Sequence, residues 1–420
     1  MRQKSQRFWA FSSVGASAAV LAVGNAPIAV FTFAVFAGPL IAEFGWSRGE
    51  LASALTAFTL LVGMSSPLFG ILLDRFGVRW PSLISAVLGL AAFGCLSTVN
   101  QLAGFLLVFS VFGLASGGLT PIPYAKLVAQ WFAKRRGGAL ALAMTGTGIG
   151  TALMPLYARY LIENLGWRVA YLAIAGTALV IACLALLLFV REKPEAKVTT
   201  LEAADTRPPL PSWSEVVLSR LFWVLAGATF LACIGVAGAL AQCVPMLTDR
   251  GVSDAIAVSV LAVAGLASGL GRLISGVVMD HIFAPLVACS AFLIAGIGLF
   301  LLAGDNPAPV ALYFLAAVLI GLSLGAEVDI MGYLVSRYFE IRMFGRVYGM
   351  LFFAFCLANG LGAYLLGLCF DIFGTYSPAL IIGGALALIG GLLILRLGPY
   401  RYPCGAPDHS GVPFPVKVPV

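Results

Sequence analysis

The sequence has 420 residues, of which 61% are hydrophobic and only 10% are charged. Soluble domains carry about 25% charged residues, so this composition excludes an ordinary soluble enzyme and indicates a chain that is embedded in a membrane. The net charge of +7 does not indicate nucleic-acid binding here, because lysine and arginine also accumulate in cytoplasmic loops. The eight cysteines have no paired spacing and there are only two histidines. We therefore expect neither a disulfide framework nor a metal site.

Twelve apolar runs are long enough to cross the hydrocarbon layer, for which a helix needs about 20 residues. They are predicted at 11–41, 48–74, 80–98, 101–132, 137–164, 167–190, 218–248, 254–280, 283–303, 308–338, 344–371 and 376–396. The predicted fold class is therefore an all-α membrane protein with twelve transmembrane helices.

One segment between the sixth and seventh runs is charged, rich in proline and too polar to span a membrane. This segment, 191–217, divides the chain into an N-terminal six-helix bundle, 1–190, and a C-terminal bundle, 218–397, which is followed by a tail, 398–420. Most of the 25 lysine and arginine residues lie on one side of the membrane if the N-terminus is inside, as the positive-inside rule requires. We expect a monomeric, multi-pass protein of the cell membrane with both termini in the cytoplasm.

The loop after the second run carries a motif that recurs in the second half of the chain. Gly70-x-x-x-Asp74 reappears as Gly276-x-x-x-Asp280. A glycine at this place allows two helices to approach closely, and the aspartate can bind the positive N-terminus of a neighbouring helix. Repeated halves are typical of transporters whose binding site lies between the halves. The alternative stays open that the positive charges of this loop alone keep it on the cytoplasmic side.

The whole loop, from Gly70 to Arg79, resembles the signature of the major facilitator superfamily, although Val78 stands where that pattern prefers a base. The resemblance implies two pseudo-symmetric six-helix bundles. It also implies a cytoplasmic gate formed by Gly70, Asp74, Arg75, Gly77, Arg79 and Asp280. The second copy has His281 where the first has an arginine, so we expect it to hold the gate less firmly.

Three further stretches, 130–150, 271–280 and 337–352, resemble the monocarboxylate and oxalate–formate branch of this superfamily. The resemblance implies that the arginine of the eighth span, Arg272, binds a carboxylate. The eleventh run has no lysine, whereas the oxalate exchangers use one there. The substrates of the branch are therefore not transferred to this chain from the resemblance alone.

Three charged residues lie deep within apolar runs: Arg272, Glu327 and Asp329. Placing a charged side chain inside a membrane costs free energy, so such a residue is taken to have a function. A guanidinium binds a carboxylate through two parallel hydrogen bonds. The alternative for Arg272 is a structural ion pair between the eighth and tenth spans. The two acids are two residues apart, about 200° around a helix, so one neutralises Arg272 or lines the path and the other packs against a neighbouring span.

Either acid is a candidate to carry a proton. Burial favours the neutral form of an acid and a nearby arginine favours the charged form, and these two effects oppose each other. The alternative for each acid is that its carboxyl group is hydrogen-bonded within the helix bundle and carries no proton. Weaker candidates for substrate binding are the polar residues of otherwise apolar spans: Asn25, Tyr124, Gln242 and Asn359. Lys126, late in the fourth span, is expected to extend to the cytoplasmic surface.

These observations predict secondary transport of a small organic anion, a monocarboxylate, by alternating access. Coupling to protons, and symport or exchange, stay open. The rival within transport is an exporter of drugs or of cationic or neutral metabolites, and the rival from another class is a membrane sensor or scaffold. No Ser/His/Asp or His/Glu cluster shares a helix face, and the glycine runs lack the Lys-Ser/Thr of a phosphate loop, so we expect no catalytic residues and no cofactor.

Overall fold

The computed structural model describes residues 2–132, 135–192, 212–304 and 309–402. Within these ranges twelve helical segments are long and apolar enough to cross a membrane, and they coincide with the twelve predicted runs. The all-α prediction is therefore confirmed, and we number the segments α1 to α12. The first six begin and end as follows: α1 Arg2–Ala22 with Ala26–Phe31 and Phe33–Phe44, α2 Arg48–Phe76, α3 Arg79–Cys95, α4 Leu102–Ala115 with Pro121–Trp131, α5 Arg136–Leu165 and α6 Trp167–Leu184. The second six are α7 Arg220–Ala241, α8 Asp254–Met279, α9 Ala284–Leu302, α10 Val310–Tyr338, α11 Phe344–Phe373 and α12 Ser377–Ile394.

Three of the spans are interrupted along their length in the described residues. In α1 the regular helix ends at Ala22 and a π-helical turn follows, with Pro27 close to its start. The span of α7 ends at Ala241 and continues, after Gln242, as the short helix Cys243–Asp249. In α4 a 3₁₀ turn separates Ala115 from Pro121. Proline has no N–H to donate and disturbs the preceding turn, which explains these breaks, and the predicted seventh run, 218–248, is therefore two helices.

The helices of each half pack mainly with one another, α1 against α5 in the first half and α8 against α10 in the second. Two long contacts join the halves: α2 packs along α11, and α5 packs along α8. Glycine makes both possible. A Cβ on Gly70 would collide with the backbone of Gly345, and one on Gly137 would collide with the backbone of Gly276. Both contacts lie at the face that the positive-inside rule predicts to be cytoplasmic, called here the predicted cytoplasmic face.

The predicted linker and tail lie largely outside the described residues, so their boundaries stay predictions. The described end of the linker forms a short helix, Trp213–Leu218, which begins with a reciprocal capping box between Ser212 and Glu215. The described start of the tail packs onto the second half, where the backbone N–H of Tyr402 donates to the carbonyl of Arg337 at 3.0 Å. Arg337, in the last turn of α10, is only 1% exposed.

Candidate functional site

Arg272 lies on α8 at the boundary between the two halves of the chain. Its Nη1 donates to the carbonyl of Met144 on α5 at 3.2 Å, and its Nε lies 3.8 Å from Oδ2 of Asp329 on α10. Close packing of α8 on α10 makes the second contact possible, because Gly325 lies directly against the backbone of Ser268. Arg272 therefore joins a helix of the first half to two helices of the second.

The two acids of α10 face different neighbours. Asp329 is fully buried beside Arg272, but neither of its carboxylate oxygens accepts a hydrogen bond from the described residues. Glu327 is 2% exposed and accepts a hydrogen bond from the thiol of Cys233 on α7 at 3.3 Å. Its second oxygen has no hydrogen-bond partner among the described residues. Asp329 is thus the acid that neutralises Arg272, and Glu327 lies inside the second half of the chain.

Two of the polar candidates lie at the breaks of the first and seventh spans. Asn25 immediately precedes the π-helical turn of α1 and is 8% exposed. Gln242 lies between the two helices of the seventh span and is half-buried, with its amide nitrogen next to Gly367. Interrupted helices leave backbone groups free to line a cavity. Each of the two residues lies at the break in the first span of its own half.

The other two polar candidates use their side chains within their own bundle. Tyr124 is fully buried and its hydroxyl donates to the carbonyl of Gly118 at 2.6 Å, where the 3₁₀ turn of α4 frees that carbonyl. Asn359 is half-buried and its amide donates to the carbonyl of Phe355 at 2.8 Å. In this conformation the hydroxyl of Tyr124 is engaged within its own span, and its contact with substrate stays a prediction.

Asp74 is the centre of a contact cluster between the halves at the predicted cytoplasmic face. Its carboxylate accepts hydrogen bonds from the backbone N–H groups of Gly345, at 2.8 Å, and Arg346, at 2.9 Å, in the first turn of α11. The same carboxylate lies 2.7 Å from the ammonium of Lys126. We call Asp74, Lys126, Gly345 and Arg346 the Asp74 cluster. It joins α2 and α4 of the first half to α11 of the second.

The structure corrects the expectation for Lys126. Lys126 is 4% exposed and donates to both Asp74 and the carbonyl of Leu73, so it does not extend to the surface. A buried ammonium is stable only when it is paired, and Asp74 supplies the partner. Arg75 is exposed, with its guanidinium over the ring of Phe76, and no described contact joins it to Asp74.

Asp280 repeats this arrangement in the second half. Its two oxygens accept hydrogen bonds from the backbone N–H groups of Gly137, at 2.7 Å, and Gly138, at 2.8 Å, in the first turn of α5. His281 is exposed and its ring nitrogen lies 3.0 Å from the carbonyl of Val277. We call Asp280, Gly137 and Gly138 the Asp280 cluster. Each half thus offers one aspartate to a helix N-terminus of the other half, where the helix dipole favours negative charge.

The last part of the loop motif, from Gly77 to Arg79, contacts the end of the sixth span in the same half. Gly77 has a φ of +79°, which favours glycine, and it turns the chain so that α3 can begin. Glu192, after α6, accepts a hydrogen bond from the N–H of Val78 and a longer one, 3.4 Å, from that of Arg79. The guanidinium of Arg79 donates to the carbonyl of Leu187 at 2.6 Å. Gly77 and Arg79 therefore fix α3 to the end of α6, and none of their hydrogen bonds in the described part of the chain reaches the opposite half.

The sequence interpretation singled out Lys126 but did not predict its pairing with Asp74, and it missed Glu192. Lys126 is separated from Asp74 by 52 residues and Glu192 from Val78 by 114, so no local pattern indicates either pairing. The signal that was available is the pair of prolines before Lys126, which marks an interrupted span.

Residues 19–363 match the model of the Major Facilitator Superfamily. The chain belongs to the major facilitator superfamily. It is therefore a multi-pass membrane transporter of small molecules and not an enzyme. Among similar proteins, a transporter of Escherichia coli, strain K12, the "Uncharacterized MFS-type transporter YhjX", is 26% identical over 79% of this chain and 81% of its own length. Human "Monocarboxylate transporter 11" is 24% identical over 95% of this chain and 87% of its own length.

Solved structures of the superfamily share the fold. The E. coli fucose:proton symporter FucP superposes with a TM-score of 0.70 at 14% identity, covering 92% of this chain and 98% of FucP. The human organic anion transporter MFSD10 superposes with a TM-score of 0.68 at 17% identity, covering 93% of this chain and 99% of MFSD10. These likenesses concern the architecture, and the similarity to monocarboxylate transporters comes from the sequence.

Proposed function

We propose that this member of the superfamily is a secondary transporter of a small organic anion, a monocarboxylate, and that Arg272 binds its carboxylate. The observation that carries the proposal is the position of Arg272 between α5, α8 and α10, where its partners among the described residues are a carbonyl and a 3.8 Å ion pair. A guanidinium has five N–H donors and binds a carboxylate through two of them in parallel, so Arg272 keeps donors for a ligand. The similarity to human Monocarboxylate transporter 11 supports the same substrate class.

We further propose that Asp329 couples substrate binding to a proton. A substrate carboxylate that binds Arg272 competes with Asp329 for the same cation. Asp329 is fully buried, and a buried carboxylate that has lost its cation is stable only in its neutral form. Asp329 then takes up one proton for each anion bound, which makes the transport of a monoanion electroneutral.

The test is uptake of labelled lactate, benzoate and oxalate into proteoliposomes, with and without a pH gradient. The variant Arg272→Lys keeps the charge but loses the planar fork. The loss of one charge-assisted hydrogen bond, about 1.5–3 kcal/mol, should raise the KM for the carried carboxylate by roughly ten- to a hundredfold.

Arg159→Lys is the matched control, because Arg159 is exposed and pairs with Glu163 on its own helix. An unchanged KM in Arg272→Lys would make Arg272 a structural residue. Uptake of none of the three acids, together with uptake of an organic cation, would favour the exporter alternative.

A further inference from the structure

A tyrosine of α11 lies beside the ion pair of Arg272 and Asp329. Tyr348 is fully buried, and its hydroxyl donates to the carbonyl of Val328 on α10 at 3.1 Å. It is close enough to Arg272 and Asp329 to interact electrostatically with both. The hydroxyl is thus bonded to the residue that directly precedes Asp329 in the chain.

Two glycines of α10 place Asp329 between its neighbours. Gly325 lies four residues before Asp329 and Gly332 three residues after it, so the three share one face of the helix. Gly325 packs against the backbone of α8, the helix that carries the arginine. A Cβ on Gly332 would lie 3.6 Å from the hydroxyl oxygen of Tyr348 and 3.6 Å from the ring carbon that bears it. Asp329 therefore lies between the arginine and Tyr348.

Neighbouring aromatic rings hold the tyrosine in this position. Phe344 and Phe352 lie one turn before and one turn after Tyr348 on α11. Both rings meet that of Tyr348 edge to face, at centroid distances of 5.4 and 6.4 Å. Edge-to-face pairs are favourable beyond the area that they bury. The ring, and with it the hydroxyl oxygen, therefore has a fixed place beside α10.

The hydrogen-bonding groups at this place do not match while Asp329 is ionised. Both carboxylate oxygens of Asp329 are buried and accept no hydrogen bond from the described residues. The single hydroxyl proton of Tyr348 is directed to the carbonyl of Val328, whereas the hydroxyl oxygen keeps lone pairs that can accept. Such an acceptor can bond only to the protonated form of a carboxyl group. Tyr348 thus offers a partner to the neutral acid and none to the anion.

We propose that Tyr348 is a positioning residue for the proton of Asp329. The inference rests on the proposed function, in which the substrate carboxylate engages Arg272 and Asp329 takes up a proton from the aqueous side. The new O–H of Asp329 donates to the hydroxyl oxygen of Tyr348, which continues to donate to Val328. A hydrogen bond to the neutral form of an acid favours that form. Tyr348 therefore promotes proton uptake at Asp329 once the arginine holds the substrate.

The ionisable groups around Asp329 come from several helices. Among the described residues, Arg272 of α8 and Tyr348 of α11 interact with it, and α9 carries no charged residue. Other charged or titratable side chains on the helices packed against α10 are bonded elsewhere: Lys126 and Arg346 to Asp74, Tyr124 to the carbonyl of Gly118, Arg136 to the carbonyl of Ser336, and Cys233 to Glu327. A change in pH dependence on altering Tyr348 therefore reports on Asp329.

The first test is the pH dependence of carboxylate accumulation in proteoliposomes. Tyr348→Phe removes the acceptor, so the pH of half-maximal accumulation should fall by about one unit, as expected for the loss of one hydrogen bond. A monofluorinated tyrosine at position 348 keeps the bond to Val328 but weakens the oxygen as an acceptor. It should shift the profile in the same direction by less.

The control variant is Tyr338→Phe. Tyr338 is also fully buried on α10, and its hydroxyl donates to the carbonyl of Gly398. It lies nine residues, or about 13 Å, beyond Asp329 along the helix. Its loss removes a buried hydrogen bond of the same kind away from the proton site, so the pH profile should stay unchanged.

The second test needs no transported substrate. In Arg272→Gln the buried Asp329 has lost its cation and is stable only as the neutral acid, so infrared spectroscopy of the purified full-length protein should show its carboxyl stretch. The band is identified by its loss when Asp329→Asn is added. Adding Tyr348→Phe instead should shift the band, and adding Tyr338→Phe should leave it in place.

Several results would overturn the proposal. One is an Asp329 band that is missing, or that Tyr348→Phe leaves in place. Another is an unchanged pH profile in a Tyr348→Phe protein that still accumulates the acid. Equal shifts in Tyr348→Phe and Tyr338→Phe would assign the effect to the loss of any buried hydroxyl. Failure of the wild-type protein to take up any carboxylate counts against the proposed function, and the infrared result then decides on Tyr348.

Discussion

Replacing Arg272 by alanine leaves Asp329 buried without its cation. Removing one partner of a buried ion pair typically costs about 3–5 kcal/mol. The Arg272 side chain is 14% exposed and the two charged groups are 3.8 Å apart, so we expect the lower end of that range. In the double variant with Asp329→Asn no charge is stranded. The two substitutions should therefore be non-additive, with a coupling of about 0.5–3 kcal/mol.

Glu327→Gln is the matched control for this cycle, because Glu327 lies on the same helix and is equally buried but contacts Cys233. Its effect should add to that of Arg272→Ala. The assays are thermal unfolding in detergent, pH-driven accumulation of the carried acid and counterflow exchange. Asp329→Asn should abolish pH-driven accumulation and leave exchange working. Additive effects of Arg272 and Asp329, with accumulation still driven by pH in Asp329→Asn, would refute the proposed coupling.

Three substitutions test the contacts away from Arg272. Asp74→Asn removes the charge that Lys126 needs, so transport should fall several-fold while substrate affinity in detergent stays unchanged; a large loss of affinity would contradict this. Gly70→Ala should open the contact with Gly345 and speed hydrogen exchange at 341–347, whereas Gly148→Ala, with no atom near its Cβ, should not. Tyr124→Phe removes one internal hydrogen bond and should lower stability by about 1 kcal/mol with an unchanged KM; a raised KM would support the contact of Tyr124 with substrate.

The sequence predicted the helices well because the hydrocarbon layer imposes one length and one polarity on every span. The interruptions at Asn25 and Gln242 were not predicted, since the apolar character of these spans continues through the breaks. The least predictable feature was which charged residues contact each other. Arg272 and Asp329 stand out individually as buried charges, but their separation of 3.8 Å depends on glycine packing between α8 and α10. The pairing of Lys126 with Asp74 depends likewise on how α2 meets α4.

The helix pair α5 and α8 carries both the substrate site that we propose and one of the contacts that close the predicted cytoplasmic face. On α8, Arg272 is eight residues before Asp280, and on α5, Met144 is seven residues after Gly137, so about 10–12 Å separates the two levels along each helix. Arg272 bonds to Met144 at one level, and Asp280 bonds to Gly137 at the other. A carboxylate bound through the remaining donors of Arg272 lies beside the first contact, and the second contact continues to hold the helices together. Under the proposed function, a movement of α8 against α5 that breaks the Asp280 cluster also changes the surroundings of Arg272, which links opening of that face to the substrate site.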